Sequence, residues 1–135
     1  MNWQPLLNAP LQIHLHVASV AAALVLVPVQ LALPKGAPLH RATGWAWVAA
    51  MCGVCGSAFF ILDRPVPPHI GGVSWLHLLA AFTLAGLWRA VAMARRGDRE
   101  GHRRAMLSLV ILGTGVPLFF ALALPGRIMN RLFFE

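Results

Sequence analysis

The sequence is short of charge, and above all short of acidic residues. Of its 135 residues only 11% are charged, and four Asp and Glu stand against eleven Lys and Arg. So low a charge content excludes disorder. A soluble globular domain is disfavoured as well, because soluble domains carry about 25% charged residues. The sequence also lacks a carboxylate pair, a Ser/His/Asp group and a glycine-rich phosphate loop. Hydrolysis by acid–base chemistry is therefore disfavoured.

The chain instead contains long stretches of apolar residues. It is 59% hydrophobic, with a mean hydropathy of +0.70. A helix needs about 20 apolar residues to cross a hydrocarbon core of about 30 Å. Four stretches satisfy this, and we predict spans at residues 11–33, 42–62, 70–94 and 105–126. Because the connecting loops are short, we predict an all-α membrane protein: one transmembrane domain over 1–135, folded as an up-down four-helix bundle in the lipid bilayer.

The cations are distributed unequally between the two sides of this bundle. One side carries most of them: Lys35, Arg41, Arg89, Arg95, Arg96, Arg99, Arg103 and Arg104. By the positive-inside rule this side is cytoplasmic, which places both termini on the non-cytoplasmic side. The net charge of +7 then sets orientation, and nothing else in the sequence indicates a nucleic-acid partner.

Six histidines are the informative polar residues. The alternating helix directions place His16 and His77 toward the outer face, and His40 and His102 toward the cytoplasmic face. His16 shares a helix stripe with Gln12, Ser19 and Gln30, so we expect it to point into the bundle rather than toward lipid. Each face thus has a pair of histidines contributed by two different helices.

Such pairs are typical of haem b, whose iron takes axial imidazoles from facing helices. The hypothesis is that His16 with His77, and His40 with His102, ligate haem iron. Arg41, Arg103 and Arg127 are the candidate partners of the haem propionates, with Arg89, Arg104 and Arg64 as alternatives. A protein of this kind would relay electrons across the membrane, with a redox partner or a quinone at either end.

Other interpretations remain open. Histidine pairs also bind Zn²⁺, copper or quinone oxygens, and His40 and His102 lie where they could contact lipid headgroups. The chain could then be a non-enzymatic membrane scaffold or the assembly partner of a larger complex, or form a homo-oligomer. A small metal or proton transporter is disfavoured, because no carboxylate lies within a span.

Two further patterns concern packing. His40-Arg41 and His102-Arg103 recur at nearly the same spacing as His16 and His77, which indicates a duplicated helical hairpin. Cys52 and Cys55 form a C-x-x-C string inside an apolar helix without a second cysteine pair. We interpret them as small packing residues rather than as a redox or zinc motif.

Three strings resemble a known family when taken together: "LHRATGWAWVAAM", "WLHLLAAFTLAGLWRAVAMARRGDREGHRRAM" and "LPGRIMNRLFF". They are similar to the bacterial membrane-protein family called domain of unknown function 2306, from His14 to the C-terminus. The matching positions are His40-Arg41, Gly44, Met51, His77, Gly97-Asp98, His102-Arg103-Arg104, Met106 and Pro125-Gly126-Arg127. The resemblance implies a four-helix protein of the bacterial inner membrane with recurring histidines. The arrangement of the histidines along the helices is also similar to that of cytochrome b561-like electron carriers.

Overall fold

The computed structural model describes residues 3–61, 69–71 and 73–134. Seven α-helices lie in these ranges: α1 (Gln4–Leu7), α2 (Leu11–Ala32), α3 (Pro38–Ala58), α4 (Trp75–Arg95), α5 (Arg99–Ser108), α6 (Val116–Ala123) and α7 (Ile128–Phe134). A π-helical segment, Leu109–Gly115, joins α5 to α6. Strands β1 (His69–Ile70) and β2 (Val73–Ser74) form a small antiparallel hairpin before α4.

Three helices in the described ranges are long and apolar enough to cross a membrane: Leu11–Ala32, Trp75–Arg95 and the continuous helix Arg99–Ala123. The remaining predicted span, residues 42–62, corresponds to α3. That helix has 21 residues, but His40, Arg41 and three glycines lower its hydropathy. The all-α membrane architecture is confirmed, and a membrane crossing by α3 stays a prediction.

The long helices pack antiparallel. The start of α2 contacts the end of α3, where His16 lies beside Ser57, and the end of α2 contacts the start of α3, where Gln30 lies beside His40. Close approach requires Gly53, because a Cβ atom there would lie 2.6 Å from the Ser19 Oγ of α2. This contact fits the small-residue packing that is common between membrane helices.

The core joins all four long helices. Its buried residues are Ala23, Trp47, Met51, Leu87, Ala90 and Leu109. The exterior is apolar as well, since large hydrophobic side chains such as Phe82, Trp88 and Phe119 are exposed. A surface of this kind suits lipid rather than water.

Two helix starts differ from the predicted spans for local reasons. The third span was expected from residue 70, but α4 begins at Trp75 because His69 pairs with Ser74 and Ile70 with Val73. Gly71 turns this hairpin with a φ of 57°. The fourth helix begins at Arg99, ahead of the apolar run, because the Asp98 carboxylate accepts a hydrogen bond from the Gly101 N–H at 2.8 Å.

The π-helical segment lies directly before Pro117. Proline lacks an N–H and crowds the carbonyl four residues earlier, which is a common reason for a helix to depart from α geometry. The segment ends with the Val116 N–H bonded to the Ile111 carbonyl, five residues back. It also brings Thr114 into the core, where Thr114 is 7% exposed.

Candidate functional site

His16 points into the bundle, as its helix stripe predicted. Its Nδ1 lies 3.1 Å from the Val54 carbonyl oxygen and 3.0 Å from the Ser57 Oγ, both on α3. A carbonyl oxygen only accepts hydrogen bonds, so the Nδ1 carries the proton. The neutral ring therefore keeps its lone pair on Nε2, the arrangement found in metal-ligating histidines.

His77 lies at the same end of the bundle but is bonded differently. The ring is 8% exposed, and its centroid lies 6.1 Å from that of Phe59, at the end of α3. The backbone N–H of Ser74 donates to His77 Nδ1 at 3.0 Å, which caps the start of α4. The lone pair of Nδ1 is thereby used, so Nε2 of the neutral ring carries the proton and acts as a donor. This Nε2 is buried and has no hydrogen-bond partner among the described residues.

His102 resembles His16 in its bonding, at the opposite end of the bundle. Its Nδ1 donates to the carbonyl oxygen of Ala90 at 2.9 Å, which connects α5 to α4. Nε2 again keeps its lone pair. Ala90 itself is fully buried, so this bond fixes the ring against the core.

Like the Nε2 of His77, the Nδ1 of His40 is buried and makes no hydrogen bond in the described part of the chain. Its backbone, in contrast, is held by α2, because the Gln30 Nε2 donates to the His40 carbonyl at 3.0 Å and to the Thr43 Oγ1 at 2.6 Å. A buried polar atom without a partner costs free energy, and in native proteins such an atom often marks a ligand site.

His40 and His102 are within electrostatic reach of each other. His40 lies in the first turn of α3, before the apolar stretch that begins at residue 42. Burial lowers the pKa of His40, and electrostatic repulsion from Lys35 and from the protonated form of His102 lowers it further. The neutral form of His40, which is the form that binds metals, is thereby favoured.

Sequence reasoning missed the polar atoms between the two ends. Trp47 is 1% exposed, and its Nε1 also lacks a hydrogen-bond partner among the described residues. Farther along the same helix, the Thr114 Oγ1 donates to Met51 Sδ at 3.4 Å. His40, Trp47 and Met51 follow helical spacing on α3, so a stripe analysis of the second span could have grouped them.

The candidate arginines divide between the two ends. Arg41 and Arg103 are exposed beside His40 and His102. Arg127 lies at the other end, between α6 and α7, where it already has an interaction partner. The chain thus brings Arg41 and Arg103, but not Arg127, to the end that holds His40 and His102.

The cysteines lie on different faces of α3. Both are free, with Cys55 buried and Cys52 exposed. Cys55 continues the buried stripe of Trp47 and Met51, in agreement with a packing role.

The corresponding histidines of the two helical hairpins have different hydrogen-bond partners. His16 reaches across to α3, whereas His77 bonds to Ser74 directly ahead of its own helix. Likewise His102 bonds to α4, whereas the Nδ1 of His40 is unbonded. The repeated markers in the sequence therefore have different surroundings in the fold, and the duplication stays a prediction.

Two imidazoles suit some metal groups better than others. Within residues 3–61, 69–71 and 73–134, no group of three or more His, Cys, Asp or Glu side chains is placed to hold a metal ion. A structural zinc site takes four such ligands and a catalytic one three. Haem iron needs only axial ligands from the protein, because the porphyrin supplies the other four nitrogens. Within the described residues, His40 and His102 thus lack the further ligands that a zinc site needs.

Comparison with known proteins gives one match. The family described as Predicted membrane protein (DUF2306) matches residues 13–128, a range that includes all four candidate histidines. No curated protein and no solved structure matches the chain.

Proposed function

Since the chain belongs to the Predicted membrane protein (DUF2306) family, we propose that all four long helices cross the bacterial inner membrane. Although α3 is less apolar than its neighbours, it packs antiparallel against α2 and has a similar length, 21 against 22 residues. The end that carries Lys35, Arg41, Arg95 and Arg103, here called the basic end, then faces the cytoplasm.

This topology predicts that both termini lie outside the cytoplasm. Epitope tags at residue 1 and at residue 135 of the full chain should both be removed when protease is added to spheroplasts. A tag inserted at Gly36, in the loop between α2 and α3, should be protected and serves as the control. If α3 did not cross, the number of crossings would be odd and the two termini would lie on opposite sides.

We further propose that the chain is a haem b-binding electron carrier whose iron is held by His40 and His102. The observation that carries this proposal is the buried, unpartnered Nδ1 of His40, which lies at the same end of the bundle as His102. His102 supports it, because its Nδ1 is tied to Ala90 and its Nε2 lone pair is free for iron. The haem would supply an iron that takes up and releases one electron.

Two histidines and two arginines of the chain would hold the haem. His40 and His102 come from α3 and α5, so ligation would join the two hairpins. The exposed Arg41 and Arg103 are placed to pair with propionates at the basic end. A quinone in the bilayer or a second redox protein is the class of partner that would exchange electrons with such a site.

The proposal contains one haem site, at His40 and His102, whereas the sequence led us to expect a second one at His16 and His77. His16 has a free Nε2 lone pair, but His77 uses its Nδ1 lone pair to cap α4 and presents a proton at Nε2. The outer pair therefore lacks a second ligand. The Nε2 of His77 would have to lose its proton before it could ligate iron, and no acceptor for that proton lies among the described residues.

An absorption spectrum tests the proposal. Purified in mild detergent from haem-replete cells, the chain should be red, with a Soret band that shifts when dithionite is added. His40→Ala and His102→Ala should each shift or abolish the band, because each variant leaves the iron with only one of its two axial imidazoles. The haem content per chain, measured as pyridine haemochrome, should be one in the unaltered protein.

The matched controls are His14→Ala and His77→Ala, which should both keep the pigment. Circular dichroism and size-exclusion profiles show whether each variant is folded. A colourless unaltered protein would overturn the proposal and favour the scaffold interpretation, particularly if partners copurify. If His77→Ala lost half of the haem, a second haem ligated by His77 at the outer end would be indicated instead.

A further inference from the structure

A groove lies outside the histidine site, between α4 and the helix that runs from α5 through the π-helical segment. Its volume is about 500 Å³. One end is lined by apolar side chains, among them Leu79, Phe82 and Leu112. The other end is polar and is lined by Arg89, Arg104 and Ser108. The groove thus combines an apolar trough with a cationic end.

The length of this groove matches one leaflet of a bilayer. Leu79 precedes Arg89 by ten residues on α4, which is about 15 Å of helix. Half of a hydrocarbon core of about 30 Å is also about 15 Å. When the guanidinium of Arg89 lies at headgroup depth, the apolar end therefore lies near the middle of the membrane.

The charges at the polar end are incompletely paired. In the described ranges Arg89 makes no ion pair and no hydrogen bond, and Arg104 donates through Nε to Glu100 at 2.8 Å. A guanidinium has five N–H donors, so Arg104 keeps donors for a further acceptor. Arginines bind phosphate oxygens particularly well, through paired N–H groups.

A second copy of the chain suits the groove poorly. Apart from Asp98 and Glu100, the ionised residues at the basic end are cations, and Glu100 is already paired with Arg104. A neighbouring copy in the same orientation would therefore bring more positive charge to Arg89. The groove requires an occupant with an apolar chain and a negative head.

We propose that the groove between α4 and α5 binds one anionic phospholipid. An acyl chain lies along Leu79, Phe82 and Leu112, and the phosphate lies between Arg89 and Arg104, with the Ser108 hydroxyl nearby. Basic pockets between membrane helices on the cytoplasmic side are known to bind acidic lipid heads. The site does not depend on the proposed haem, because His40, His102, Arg41 and Arg103, which would hold the haem, do not line the groove.

Lipid binding to the detergent-purified full chain tests this proposal. Native mass spectrometry should show phosphatidylglycerol retained about 30-fold more strongly than phosphatidylcholine with the same acyl chains. This ratio corresponds to about 2 kcal/mol, for two arginines at about 1 kcal/mol each. In the double variant Arg89→Gln/Arg104→Gln the two lipids should bind within about twofold of each other.

The control is Arg96→Gln/Arg99→Gln, which removes the same charge at the same end but outside the groove, and should keep most of the preference. Leu112→Trp should weaken binding of both lipids, because it fills the apolar trough. Inorganic phosphate alone should not displace the lipid. The proposal is overturned if the unaltered chain binds both lipids equally, or if the control pair loses as much preference as the groove pair. Helical content and monodispersity of each variant confirm that a loss of binding is not a loss of fold.

Discussion

Trp47→Ala is expected to lower the free energy of unfolding by about 3–5 kcal/mol, which is typical of removing a large aromatic side chain from a packed core. Trp47 is 1% exposed and packs with Met51, Leu87 and Ala90. In a membrane the loss is mainly one of dispersion contacts, because lipid tails are as apolar as the core. Denaturation in a detergent series, followed by circular dichroism, measures the change.

Two variants test this explanation. Trp45 lies two residues away and is 54% exposed, and the guanidinium carbon of Arg95 lies 5.8 Å from its ring centroid. Trp45→Ala should therefore cost no more than about 1 kcal/mol. Trp47→Phe keeps an aromatic ring and removes the unpartnered N–H, so it should be milder than Trp47→Ala. Equal destabilisation by the alanine variants at 45 and 47 would contradict the observed core.

Gly53→Leu is expected to force α2 and α3 apart. Even a Cβ atom at Gly53 would lie 2.6 Å from the Ser19 Oγ and 3.3 Å from the Ser19 Cβ, and a leucine adds three more carbons. Overpacking of this kind destabilises by about 1–3 kcal/mol. The His16 bonds to Val54 and Ser57 cross the same interface and should lengthen. The thermal midpoint in detergent reports the loss.

Gly56 provides the matched control on the same helix. A Cβ atom at Gly56 would have no neighbour within 4 Å among the described atoms, so Gly56→Leu should leave the midpoint nearly unchanged. Ser19→Gly should partly rescue Gly53→Ala, where the conflict involves only the serine side chain. Similar losses at positions 53 and 56 would indicate that leucine is harmful anywhere on α3.

Much of the fold could be read from the sequence because apolar runs and loop residues act locally. The runs at 11–33 and 70–94 predicted α2 and most of α4, and the stripe through His16 predicted the side of α2 that contacts α3. The hairpin at His69–Ser74 was missed, although Gly71-Gly72 between apolar residues is a hairpin signal. Helices α1 and α7 were also missed, since each is shorter than two full turns.

The candidate site was only partly predictable. The sequence indicated which histidines lie at which depth, because depth follows from position along a helix. It did not indicate which ring nitrogen is free, because that depends on partners from other elements: Ala90 for His102, Val54 for His16 and Ser74 for His77. Nor did it reveal that Trp47 Nε1, His40 Nδ1 and His77 Nε2 are buried without a hydrogen-bond partner in the part of the chain that the structure describes.

Hydropathy and charge alone determined that this chain belongs in a bilayer as helices and that its cations gather at one end. Both properties are sums over neighbouring residues, so they need no knowledge of distant contacts. The tertiary structure decided which imidazoles keep a lone pair, and it formed the groove that joins Arg89 to Arg104. These depend on atoms that are far apart along the chain and meet only after the helices have packed.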